Sequence, residues 1–180
     1  MQPRKPRRLD SAQLWEYALK SLSARAQSMG ELRQKLVRRA ERPADIDDVL
    51  ARLKEHGYLN DLRYAEGFAS ARLANEKLGG SRVIRDLRQR RVAPELAEKT
   101  VREVYRDVDE TVLIEDWIRR KYRLAPRDGL FQDDKDMASA LRRLMRAGFR
   151  SGDILRILKR FARNPELLDN VDLSAPDEED

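Results

Sequence analysis

The sequence predicts an all-α chain built as a tandem array of three three-helix repeats. Three observations predict it. A helix that is apolar on one side and studded with arginine on the other comes round three times. It reads GELRQKLVRRA (30–40), RVIRDLRQRRV (82–92) and ASALRRLMRAGF (138–149), so Leu36, Leu87 and Leu144 align at spacings of 51 and 57 residues. A further amphipathic helix follows each copy. It carries Ile46, Val49, Leu50 and Leu53, then Leu96, Val101 and Val104, then Ile154, Ile157, Leu158 and Phe161. No segment alternates apolar and polar residues as a half-buried strand would. Repetition at this length marks a stacked helical array, which presents one long surface in place of a closed pocket. The expected molecule is therefore elongated and suited to an elongated partner.

The elements justify themselves in order. Residues 1–9, opening MQPRKPRR, form a basic, Pro-broken arm expected to be flexible. Repeat 1 spans 10–57. Asp10 with Gln13 predicts a capping box for a first helix running to about Gln27, and Ser28 with Glu31 predicts a second box. Pro43, Asp45, Asp47 and Asp48 suit the positive end of the third helix, which Gly57 stops. Repeat 2 spans 58–106. Asn60-Asp61 opens it, with Tyr64, Ala65, Phe68, Ala69 and Arg72 at helical spacing; Gly79-Gly80-Ser81 breaks that helix and caps the next; Pro94 sits in the first turn of the last. Repeat 3 spans 107–163. It carries Val112, Leu113 and Trp117, an exposed connection at 124–136, Asp133 and Asp136 at the start of its middle helix, and Ser151 as the cap of the last. Residues 164–180 are an acidic tail.

Charge narrows the partner. Charged residues make up 39% of the chain, above the usual quarter, and the apolar 41% keeps a helical period, which fits charge-laced amphipathic helices better than disorder. Net charge is +6, yet the tail holds seven acids and no Lys or Arg, so residues 1–163 carry +13. A basic body implies a polyanionic or acidic partner. The tail either folds back on that body or keeps the chain soluble, and solvation is the simpler reading. Zero cysteines exclude disulfides and thiolate sites and fit a reducing compartment. No apolar run reaches membrane-span length, so the chain is expected to be cytoplasmic, with no membrane partner.

At ~100° per residue the arginines separate from the core. In the last helix Arg156, Lys159 and Arg160 oppose Ile154, Ile157, Leu158 and Phe161. In the middle helix of repeat 3, Arg142, Arg143 and Arg146 oppose Met137, Ala140, Leu141 and Leu144. In repeat 2, Arg82, Arg85 and Arg88 oppose Val83, Ile84 and Leu87, while in repeat 1 Val37 intrudes on the polar side. Any exposed helix face is charged, but one kept only for solubility mixes its signs, and no Glu is interleaved at i−4 in 142–146 or 156–163. These nine residues are the candidate partner- or phosphate-binding set. Contact with nucleic acid would be through phosphate, hence salt-dependent and weakly sequence-specific. No aromatic platform for base stacking is visible.

Catalysis finds no support. His56, the one histidine, precedes Gly57 and reads as a helix-terminus residue; one His and no Cys build no typical zinc site. Gly79-Gly80-Ser81 lacks the Lys-Ser/Thr of a phosphate loop, and Asp133, Asp134 and Asp136 read as helix-start residues. Trp15 and Trp117 are most simply core. The expectation is a non-enzyme with no cofactor and no metal.

The stretches ALKSLSARAQSMGELRQKL (18–36), GYLNDLRYAEGFASAR (57–72), KLGGSRVIRDLRQRRV (77–92) and LRRLMRAGFRSGDILRIL (141–158) resemble the RecX regulatory proteins. The likeness covers about 14–163. It is most specific at Gly57, Tyr58, Leu59, Asp61, Tyr64 and Ala65, and it departs at Arg39-Ala40, where the family has a Lys/Arg-Gly turn. The resemblance implies an elongated, curved array that lies along the groove of the RecA–single-stranded DNA filament. It implies inhibition of ATP hydrolysis, filament extension and strand exchange, and so modulation of homologous recombination, DNA repair and the SOS response. Expected partners are the RecA filament and its single-stranded DNA, bound weakly when alone, with the regulator a monomer. The alternative is a helix-turn-helix regulator of duplex operators, which needs a single base-reading helix and a dimer with spaced half-sites. Here the arginines spread over three copies.

Overall fold

Residues 8–121 and 134–161 are described by the computed structural model. Among them the helices are α1 (Ser11–Ala24), α2 (Met29–Val37), α3 (Ala44–Glu55), α4 (Asp61–Ala71), α5 (Gly80–Gln89), α6 (Pro94–Val104), α7 (Glu110–Lys121), α8 (Asp134–Arg146) and α9 (Ser151–Phe161). No strand occurs among the described residues; Leu9 and Ala40 form one isolated parallel bridge. The all-α expectation holds, and the nine helices among the described residues follow in the order that the three expected groups set out. The arm over 1–7, the connection over 122–133 and the tail, with 162–163, lie outside the described residues. Residues 134–136 of the expected connection are already helical.

The helix starts follow local hydrogen-bond chemistry. Asp10 accepts from the Gln13 N–H at 2.9 Å, the one half of the expected capping box that forms. Ser28 and Glu31 form both halves of theirs, satisfying two otherwise orphaned donors. α1 ends at Ala24, short of the expected Gln27. The backbone extends at Arg25, and Gln27 turns inward to donate its amide to the Ser21 carbonyl at 2.6 Å. α4 widens into a π-helical turn at Arg72–Glu76 and ends where Lys77 takes a left-handed φ of 54°. Ser151 is the first residue of α9, so the cap falls one place earlier: the Arg150 carbonyl accepts from the Ile154 N–H at 3.0 Å.

The chain divides into two compact units, residues 1–69 with 86–103, and 70–85 with 104–180. In the first, Leu14, Ala18, Leu32, Leu36, Ile46, Val49, Leu50, Leu53 and Leu59 close a core. In the second, Leu113, Ile114, Ile118, Met137, Ala140, Leu141, Leu144, Phe149, Ile154, Ile157 and Leu158 do the same. Two inward faces differ from expectation. α7 buries Ile114 and Ile118 beside Leu113 while Val112 is 52% exposed and Trp117 half-buried; α6 buries Ala97 and Thr100 beside Val101. Val37 is exposed, as its position on the polar side of α2 requires.

A backbone crossing recurs once in each unit. In the first, the start of α2 meets the end of α5. Ser28 Oγ donates to the Arg90 carbonyl, and a Cβ on Gly30 would lie 2.6 Å from the Arg91 carbonyl oxygen. Arg91 itself turns at φ 61°, and Asp61, opening α4, accepts from the Met29 N–H at 2.7 Å. In the second, the start of α5 meets the end of α8. The Gly79 N–H donates to the Ala147 carbonyl at 2.9 Å, and a Cβ on Gly79 would lie 2.6 Å from the Phe149 nitrogen. Gly148 turns at φ 93°, and Glu110, opening α7, accepts from the Gly80 N–H at 2.7 Å. Equivalent residues stand at the repeat spacings, Met29 with Gly80 and Arg91 with Gly148. The acceptor at the α5 start is thus Glu110, where the sequence suggested Ser81. Each acid stands at the positive end of a helix two places earlier in the chain, where it accepts from the first N–H and favours the dipole.

Candidate partner-binding surface

The arginine-bearing helices owe their orientation to these crossings and cores. With Met137, Ala140, Leu141 and Leu144 of α8 buried, Arg143 and Arg146 face outward and are exposed, while Arg142 is half-buried. With Ile154, Ile157 and Leu158 of α9 buried, Arg156, Lys159 and Arg160 are exposed. α8 and α9 pack on each other and α9 also on α7, so their cations share one part of the second unit. The crossing at Gly79 and Gly148 adds Arg82, whose Nη1 donates to the Arg146 carbonyl at 3.4 Å. Arg85 is exposed and in the same unit. Arg88 belongs to the first unit, where it pairs with Glu98 of α6.

The sequence missed the counter-charges: Glu115 reaches Arg160 from a neighbouring helix, and Asp153 stands three residues before Arg156 on α9, outside the i−4 spacing. Glu115 of α7 meets Arg160 at 2.6 Å and Arg119 at 3.3 Å, one acid shared by two guanidinium groups. Asp153 meets Arg156 at 3.0 Å. Such exposed pairs contribute about 0–1 kcal/mol each, too little to withhold these arginines from an anionic partner. Over 110–121 and 134–161 eleven Lys and Arg stand against six Asp and Glu, so the third helical group keeps a cationic excess. Arg85 and Arg143 have no side-chain partner among the described residues. A planar guanidinium in that state offers a fork to phosphate or carboxylate.

Two further features were not legible in the sequence. Trp15 of α1, His56 at the end of α3 and Tyr58 gather on the first unit, with ring centroids 5.9 Å (Trp15–His56), 6.5 Å (Trp15–Tyr58) and 6.2 Å (His56–Tyr58) apart. Some forty positions of sequence separate the first ring from the others, so no local pattern shows them together. His56 does end its helix, its N–H bonded to the Arg52 carbonyl at 3.0 Å, as expected of a terminus residue. Trp15 is only half-buried, and the Arg52 guanidinium lies 4.3 Å over its ring. The second feature is a network behind α2, where Glu31 takes Arg25 at 3.3 Å and Arg90 at 3.5 Å while Tyr64 Oη lies 3.4 Å from its second oxygen. Burial, then the Glu31 charge, push the Tyr64 phenol up from its ordinary range. Arg8 and Leu9, at the end of the basic arm, are fixed in place. Arg8 donates to the Ala40 carbonyl at 3.0 Å and Leu9 to the Arg39 carbonyl at 2.8 Å.

Among the described residues no group of three or more His, Cys, Asp or Glu is placed to hold a metal ion, and no helix is long and apolar enough to cross a membrane. What the fold and this surface define is an all-α array of three-helix units with most of the arginines of α8 and α9 outside. Known proteins agree. Residues 15–53 match the first three-helix domain of RecX and residues 60–101 the second. The regulatory protein RecX of Trichlorobacter lovleyi is 33% identical over 141 residues, 78% of this chain and 90% of that protein. The regulatory protein RecX of Escherichia coli O9:H4 is 32% identical over 166 residues, 87% of this chain and 96% of that protein. The crystal structure of RecX from Lactobacillus salivarius superposes with a TM-score of 0.66 at 18% identity, over 84% of this chain and 96% of that one, a likeness of fold. The chain belongs to the RecX family of regulatory proteins.

Proposed function

We propose that this chain regulates the RecA recombinase. In this reading it binds the recombinase and its single-stranded DNA filament and inhibits ATP hydrolysis, filament extension and strand exchange. It thereby modulates homologous recombination, DNA repair and the SOS response. The observation that carries the proposal is the cationic surface of α8 and α9 in a chain of the RecX family. A nucleoprotein filament offers phosphates along its DNA and carboxylates on its subunits, and guanidinium groups pair with both. Neither pairing needs a catalytic group, and regulation then works by occupancy: a bound regulator obstructs the addition of subunits and the movements that accompany turnover. The nine candidate residues Arg82, Arg85, Arg88, Arg142, Arg143, Arg146, Arg156, Lys159 and Arg160 are the proposed contact set. The test is recombinase ATPase on single-stranded DNA with and without the protein. Inhibition at micromolar concentration supports the proposal; unchanged turnover at micromolar excess sinks it.

A further inference from the structure

The rings on the first unit have no role in the fold that requires their exposure. Tyr58 is 56% exposed and His56 exposed, while the positive φ of Gly57 (71°) turns the chain so that both stand outside α3. The half-buried Trp15 ring of α1, with the Arg52 guanidinium 4.3 Å over it, meets both of them edge-on. A second guanidinium lies alongside, since Arg63 donates to the Gly57 carbonyl at 3.1 Å. Neither Arg52 nor Arg63 has a carboxylate partner among the described residues. Exposed rings flanked by uncompensated guanidinium groups suit a ligand with a π face and a negative charge within one repeating unit. A single-stranded nucleotide has both: a base to stack and a phosphate to pair.

We propose that Tyr58 and His56, backed by Trp15 and flanked by Arg52 and Arg63, form a base-stacking subsite for single-stranded DNA on the first unit. This deepens the reading above, on whose nucleic-acid half it rests. It adds base contacts to a mode of binding otherwise made through phosphate, at a place that the nine candidate arginines do not include. Duplex DNA is excluded from it, because a base already stacked and paired has no free face to give.

The test uses fluorescence anisotropy with a thymidine oligonucleotide and an abasic strand of the same length, which keeps the phosphates and removes the bases. The full chain should bind the thymidine strand at least about fivefold more tightly, the lower end of what stacking one base contributes. Tyr58→Ala should close that gap, with the abasic affinity unchanged, and Tyr58→Phe should keep it. Crosslinking from 5-iodouracil in the oligonucleotide checks the wild-type chain without any variant and should attach at Tyr58 or His56. Equal affinity of the wild-type chain for both strands, or crosslinks confined to other residues, would overturn the subsite. ATPase inhibition is read separately: if it persists while the affinity gap is absent, the subsite fails and the proposed function stands. If the gap is present and inhibition is not, the reverse holds.

Discussion

Gly148 sits at a positive φ of 93° with the backbone of Arg82 close enough that an added Cβ would lie 2.8 Å from its Cα. Any side chain there meets two objections at once, a left-handed backbone and a neighbour that is itself main chain. Gly148→Ala should therefore cost more than the ~1–3 kcal/mol of backbone strain alone and lower the midpoint of urea unfolding. Gly67 provides the control. It lies inside α4, where a Cβ would meet nothing within 4 Å, so Gly67→Ala should stabilise by about 0.5–1 kcal/mol. Equal midpoints for the two variants would refute the crossing as a close backbone contact. The glycine pair at 79–80 was visible in the sequence only as a helix break; that Gly79 must be small because another copy's backbone runs across it is tertiary information.

At the scale of elements, Tyr105 ties the end of α6 to the linker before α5, its hydroxyl donating to the Leu78 carbonyl at 2.8 Å. Burial first, and then the nearby Glu110 carboxylate, push the Tyr105 phenol well above its ordinary range. A folded pKa above the unfolded value of about 10 stabilises the fold fully below pH 10, and the contribution is lost as pH rises further. Unfolding by urea at pH 8 and pH 11 should show a steeper alkaline loss in the wild-type chain than in Tyr105→Phe, which has no proton to release. Parallel losses would mean that this phenol titrates alike in both states. Helices of this kind were largely readable beforehand. The periods of α3, α8 and α9 exposed their cores residue by residue, since long aliphatic side chains recur there on one face. α6 and α7 were read less well: α6 buries the small residues Ala97 and Thr100, and in α7 Val112 is apolar yet outside. Hydrophobicity alone does not rank such positions. The outward arginines followed from the same periodicity, but Glu98 and Glu115, which pair with Arg88 and Arg160, lie on other helices, at separations no local rule covers.

For the whole molecule, the repeat pattern leads to the expectation of an elongated, monomeric array. Small-angle scattering should then give a radius of gyration above the ~16 Å of a compact 180-residue globule; a value at that figure would contradict the array. The central claim is that the arginine surface of the third helical group acts on a recombinase filament. Its most direct measurement is the ATPase of RecA on single-stranded DNA, titrated with the wild-type chain and with the combined variant Arg143→Glu, Arg146→Glu and Arg156→Glu. All three side chains are exposed, so most of the fold survives; one local cost is at Arg156, where the new Glu would face Asp153. Melting curves of both chains set that baseline. The account predicts half-inhibition at a concentration at least tenfold higher for the variant, a loss of only ~1.4 kcal/mol of binding. A variant that melts like the wild-type chain and inhibits equally well would contradict it.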